Sequence, residues 1–247
     1  MLRYSITTLL YLAKLSIKDK IQDALKLHNN IDIRLTAIIK DKDGKIIKVH
    51  KQRSHSFVSN FLALLASSFA TYYNQSISNS FGYYYRITNG DYAANNPSYW
   101  TGEGIFALND GANDSSYGLV VGTGTTPPTP NDYVLGNQIV NGTGNGQLVY
   151  GAHQFTPAPQ SIGSSNNATT TTTPTSGLLP VSGNTTSLQI LRTFQNQSGA
   201  SITVSEVGLI TETANYYVLI VHDLLSSPIT VPPNAVLTII YTISVTT

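Results

Sequence analysis

The side chains able to do acid–base or ligand chemistry are few and scattered. The histidines are His28, His50, His55, His153 and His222. His50 and His55 are close in sequence, but no HExxH or comparable ligand spacing surrounds them. His222-Asp223 ends an apolar run, and an imidazole beside a carboxylate can serve general-base chemistry. No GxSxG nucleophile turn accompanies it. Glu206 and Glu212 are candidate paired acids, with strand and turn roles as the plainer alternative. GTGTTP at 122–127 is glycine-rich, yet it lacks the GK[ST] of a phosphate loop, and no helix pattern follows. DKDG at 41–44 resembles a piece of a calcium loop without its third acid or closing glutamate. Cysteine is absent, which excludes disulfides and thiolate metal sites. This inventory predicts no enzyme, no metal and no cofactor. The histidines read as packed or surface residues.

Charge is distributed unevenly. The chain of 247 residues carries 14 Lys+Arg and 13 Asp+Glu, so only 11% is charged, against about 25% in an average globular protein. Residues 1–53 hold 12 of the basic residues and 5 of the acidic ones. The remainder holds only Arg86 and Arg192 against 8 acids. A basic end of this kind suits nucleic acid, an acidic lipid surface or an acidic partner protein. Lys42, Lys45, Lys48 and Lys51 are the candidate contacts for packaged DNA, and a solvated hairpin with ordinary lysines is the alternative. No apolar run reaches the ~18 residues of a membrane-spanning helix.

Periodicity predicts the elements that carry these residues. Residues 6–28 read as an amphipathic helix, with Ile17, Ile21 and Leu25 at helical spacing. Strict alternation in IDIRLTAIIK, the turn Asp41-Lys42-Asp43-Gly44 and renewed alternation to Lys51 predict a β-hairpin over 31–51, with Gly44 at the positive-φ position. A second helix is expected over 56–72. Val58, Leu62, Leu65 and Phe69 form one stripe, and Phe57, Phe61 and Leu64 form the next. A helix this apolar must be covered. Phe57, Phe61, Leu62, Leu65 and Phe69 are the candidate subunit-interface residues, and the chain's own core is the default partner. Residues 1–74 then form a helix–hairpin–helix assembly region, and 75–247 form a β-domain.

Beyond residue 75, short apolar runs alternate with turn clusters. That pattern predicts a mainly β fold, an antiparallel sandwich with jelly-roll-like character, which the 31–51 hairpin can join. The Ser/Thr-rich stretch at 156–187 reads as a long exposed loop. SLQILRTFQ, ITVSEVGLI, YYVLIVHDLL and AVLTIIYTISV read as four strands, with YYVLIVH central because it is apolar on both faces. In the last, Ala235, Leu237, Ile239 and Tyr241 share a face. Arg192 falls on the apolar phase of its strand. A hairpin centred on Gly199 would set it opposite Glu206 as a shielded ion pair, with a bulge near Glu206. Six N-x-S/T sequons occur, close to what chance gives in a chain this rich in Asn, Ser and Thr. Asn141, Asn167 and Asn184 are the candidate glycosylation sites.

Four segments carry a family likeness. GLVVGTGTTPPTPNDYVLGNQI, LRTFQNQSGASITVSEVGLIT and LIVHDLLSSPITVPPNAVLTIIYTISV, in that order, resemble a β-rich module of phage and archaeal-virus structural proteins. DGKIIKVHKQRSHSFVSNFLALLASSF is similar to the start of such proteins. The resemblance implies a virion location and a homo-oligomeric assembly with other virion proteins. Its place would be a tail nozzle, adapter or vertex, such as the tail end of a spindle-shaped archaeal virus. It transfers no catalytic residue. The alternative is a tail adhesion module that binds a host surface or glycan through Tyr92, Tyr99 and Trp100.

Overall fold

The computed structural model describes residues 31–54, 56–70, 84–94, 108, 111–157, 179, 181–213 and 216–246. The helix expected over 6–28 and the sequon at Asn167 lie outside them. The described chain is mainly β, with two principal antiparallel sheets and one helix.

The first sheet is built on the alternating strands. β1 (Ile31–Lys40) and β2 (Ile46–Arg53) form the expected hairpin. Asp41 Oδ1 accepts from the amides of Asp43 and Lys45, and Gly44 takes φ 80°. β1 then pairs along its whole length with the C-terminal strand β12 (Val236–Thr246), from Ile31 opposite Val245 to Lys40 opposite Val236. This ladder crosses the boundary drawn at residue 74, so the hairpin shares one sheet with the chain's last strand. β12 pairs in turn with β9 (Thr185–Gln195). Three short strands, β6 (Val149–Tyr150), β7 (Gln154–Thr156) and β8 (Val181–Ser182), share the far edge of β9. The end of the expected 156–187 loop is therefore strand, because Val181–Ser182 turns back through Gly183 onto β9.

The second sheet has the order β11 (Tyr216–Val231), β10 (Ile202–Thr213), β5 (Gly118–Gly122). The expectation that YYVLIVH is a central strand is corrected: β10 is central and β11 is an edge. β11 nevertheless has a bonded neighbour along its outer edge. Val58 N donates to Ile220 O, His222 N donates to Ser56 O, and Phe57 bridges Val221. β10 and β11 lose register between Val204 and Glu206, the bulge expected there. Pro228 lies within β11 beside this irregularity, where its missing donor costs no ladder bond. A separate pair, β3 (Tyr84–Arg86) with β4 (Tyr92–Ala94), completes the strands.

The helix, α1 (Ser59–Ala70), begins three residues later than expected. Phe57 and Val58 are held extended by β11 and cannot join it. One apolar cluster draws on both sheets and the helix, including Leu35, Ile39, Leu64, Leu119, Phe194, Leu219, Leu237 and Tyr241. No helix among the described residues is long and apolar enough to cross a membrane.

Candidate functional site

Among the described residues, the buried Glu206 and His222 gather at one point and Arg192 lies at another, while Asp223 is bonded to Tyr241. Glu206 on β10 and His222 on β11 sit diagonally across the strand pair, since Gly208 faces His222 and Glu206 faces Leu224. Successive strand residues point to opposite faces. Asp223 accepts a bond from Tyr241 of the first sheet, so His222 faces the other way, under the segment 123–139. His222 Nδ1 lies 2.7 Å from Asp132 Oδ2, and Nε2 lies 2.9 Å from Glu206 Oε2. An imidazole with a carboxylate on each nitrogen can satisfy both only as the doubly protonated imidazolium, the form these neighbours favour.

Glu206 is 1% exposed. Its Oε1 accepts from the amides of Gly124 and Asn137, each at 2.8 Å, and its Oε2 accepts from Gly136 N at 2.9 Å as well as from His222. Burial by itself pushes this carboxyl up. The bonds from His222 and from the Asn137, Gly136 and Gly124 amides outweigh it and hold the group at about 2. His222 shows the complementary balance. Burial lowers it, but the two carboxylates prevail and raise it. Asp132 is opposed by burial too, and its bonds from the Thr129 hydroxyl and amide and from His222 leave it lowered.

The glycine-rich turn at 122–127 does hold an anion, but the anion is the chain's own. A Cβ on Gly122 would lie 2.3 Å from Glu206 Oε1, and one on Gly124 would lie 2.4 Å from it. Only bare backbone can approach this closely. With four donors on its two oxygens, Glu206 anchors the loop to the sheet.

Arg192 and Glu206 do not form the expected ion pair. QNQSGAS carries the chain from one sheet to the other instead of closing a hairpin, so Arg192 faces Ile239 while Glu206 faces Gly122 and Leu224. Arg192 is fully buried, and its guanidinium donates to backbone carbonyls. Nε reaches Gly151 O at 2.8 Å, Nη1 reaches Tyr117 O and Leu119 O, and Nη2 reaches Gly111 O and Asp114 O. Its guanidinium carbon also stands 4.8 Å from the centre of the Tyr150 ring. The crossing is fixed by Asn196, which is fully buried and donates to Ala200 O and Val231 O.

The other expected site residues disperse. Lys42 and Lys45 sit at the hairpin turn, Lys48 reaches inward to Pro228 O, and Lys51 lies on the opposite face of β2 from Lys48. The four lysines therefore do not line one surface. Asn141 is tied down, its Oδ1 accepting from Tyr150 N, while Asn184 sits in the turn between β8 and β9. Leu64, buried at 0%, is the inward anchor of α1, whereas Leu62 is 64% exposed and Phe57 is 40% exposed. Phe57 stacks on Phe61 at 4.0 Å, and Leu65 is half-buried. The side chains of Phe69, Tyr92, Tyr99 and Trp100 lie outside the described residues. Glu206 and Glu212 do not come together as paired acids. Glu206 is held by its loop and by His222, and Glu212 pairs along the ladder with Tyr217.

The trio was not assembled from the sequence because Asp132, Glu206 and His222 are far apart along the chain. A usable signal existed: one acid in ITVSEVGLI and one histidine in YYVLIVHDLL, each the odd residue in an apolar strand. No group of three or more metal-ligating side chains occurs among the described residues. Comparison with known proteins finds no matching family model, curated relative or solved structure.

Proposed function

We propose that the chain is a structural virion protein that assembles with copies of itself at a virus tail or vertex, in a role without catalysis. The observation that carries the assembly reading is the outer side of α1. Phe57, Phe61 and Leu62 form an apolar shoulder next to the half-buried Leu65, and Leu62 is 64% exposed. Isolated exposed leucines are ordinary, but a stacked aromatic pair beside an exposed leucine on a helix without charge supports reading this side as a contact surface. The engagement of Glu206, His222 and Arg192 in holding loops supports a scaffold role, since these groups spend their bonding capacity inside the fold. The core shared by the two sheets supports the sandwich part of the expected architecture.

The virion part of the reading rests on the resemblance of the quoted segments. Immunogold labelling of purified particles tests it. Gold confined to one end or vertex is the expected result, and unlabelled particles would contradict it.

A further inference from the structure

The edges of the two sheets are treated differently. The far side of β9 is covered by β6, β7 and β8. β5 is followed by the Asn137–Ile139 segment, which bonds Thr123 and Val121. β11 is covered by Ser56–Val58. β2 has β1 on one side, and among the described residues no strand on the other. Ser54 N donates to Ile33 O, which fixes the phase of the ladder. In an antiparallel pair the bonded positions alternate, so Arg53, Lys51 and Val49 turn their N–H and C=O away from β1.

This edge is held in place from behind. Gln52 Nε2 donates to Leu224 O and Gln52 Oε1 accepts from Ser226 N, while Lys48 Nζ reaches Pro228 O. These bonds fasten the inner face of β2 to the irregular stretch of β11. The open edge is therefore a preformed strand template, with Val49 47% exposed beside Ile46 and Ile47.

Charge selects what it can accept. Every lysine among the described residues lies on or beside this hairpin, since none occurs after Lys51. The two later arginines are engaged elsewhere, Arg86 over the Tyr133 ring at 3.6 Å and Arg192 in the core. The hairpin's acids are engaged locally: Asp32 pairs with Arg34 and Arg53, Asp43 with Lys42, and Asp41 caps the turn. Among the described residues, Lys45, Lys48 and Lys51 have no acidic partner.

We propose that β2 is a docking edge that takes up an extended acidic segment of a partner polypeptide as an added strand. A second copy of β2 is disfavoured by its charge: β2 carries Lys48, Lys51 and Arg53 and no acid, so an antiparallel self-pairing would crowd like charges onto one two-stranded ribbon. A strand alternating Glu or Asp with β-branched residues meets both features: its backbone completes the ladder and its acids come within reach of Lys45 and Lys51. Nucleic acid fits less well, because Lys48 and Lys51 point to opposite faces while the backbone donors stand in one row. The inference is independent of the assembly reading, since capture at β2 and self-association through α1 can fail separately.

The test uses the full chain and a labelled, capped eight-residue peptide alternating Glu with Val and Thr, followed by fluorescence anisotropy. Binding is expected at low salt, with a loss of about tenfold on moving to several hundred millimolar salt. Val49→Pro removes an outward N–H while leaving the β1 ladder intact, and is expected to reduce binding about tenfold or more. Replacing Lys45 and Lys51 together by Gln is expected to weaken it similarly. In the unaltered protein, bound peptide should slow amide exchange at Val49, Lys51 and Arg53. Unchanged exchange at those three amides overturns the proposal. So does equal binding by a peptide with a central proline, or preferential binding of duplex DNA that survives Val49→Pro.

Discussion

His222 Nε2 and Glu206 Oε2 lie 2.9 Å apart in the interior of the second sheet, and the histidine's other nitrogen meets Asp132 at 2.7 Å. One imidazolium thus links two strands to the loop that crosses above them. Its stability depends on pH in opposite senses at the two ends of the range. His222 is raised in the fold, so its contribution is complete below the unfolded value of 6.5 and is lost as pH rises through the raised folded value. Glu206 is depressed from 4.5 to about 2, so its contribution is complete above 4.5 and is lost as pH falls toward 2. At about 1.4 kcal/mol per unit, the Glu206 depression is worth about 3 kcal/mol at neutral pH. Thermal melts across pH should show a plateau in mildly acidic solution with a fall on both sides. In His222→Gln the fall through neutral and mildly alkaline pH should disappear, leaving only the loss above the ordinary tyrosine value of 10.0 that the buried Tyr150 and Tyr241 bring, and a curve that keeps the earlier fall would refute the assignment.

Gly124→Ala should be costly for a steric reason, because its Cβ would stand 2.4 Å from Glu206 Oε1. A loss of about 1–3 kcal/mol in denaturant unfolding is expected. Gly111→Ala, where a Cβ meets nothing within 4 Å, is the matched control and should be close to neutral.

Arg192→Lys should destabilise strongly although charge is kept. The guanidinium serves five carbonyls of the described residues at once, and an ammonium with three donors cannot reproduce that fork. Arg192→Met removes the donors altogether and should cost about 3–5 kcal/mol, since buried carbonyls lose their partners. Equilibrium unfolding monitored by Tyr fluorescence reads both variants.

Tyr241→Phe removes the hydroxyl that joins the sheets. Tyr241 donates to Asp223 at 2.8 Å, and both residues are buried. Leaving the carboxylate without that donor should cost about 1–3 kcal/mol. An unchanged unfolding midpoint would show that the bond adds nothing to the packing around it.

Local patterns in the sequence were reliable guides to local structure. The alternation of β1 and β12, the Gly44 turn and the bulge beside Glu206 depend on neighbours within one strand or turn, and all are present. Arg192 was legible as an anomaly on an apolar face, but its partners were not. Backbone carbonyls solvate it, and a sequence does not mark which carbonyls a fold brings together. The apolarity of β11 was read as central placement because cover by Ser56–Val58 and cover by a neighbouring strand leave the same trace in composition. The Asp132–His222–Glu206 trio is a product of tertiary structure, assembled from a loop and two strands.

Self-assembly through the outer side of α1 is read out by native mass spectrometry of the full chain. A discrete oligomer is predicted for the unaltered protein. The double variant Phe57→Asp and Leu62→Asp, at positions 40% and 64% exposed and so removable with little harm to the fold, is predicted to release monomers. A monomeric unaltered protein at micromolar concentration, or a double variant that keeps the same oligomer, would contradict the claim.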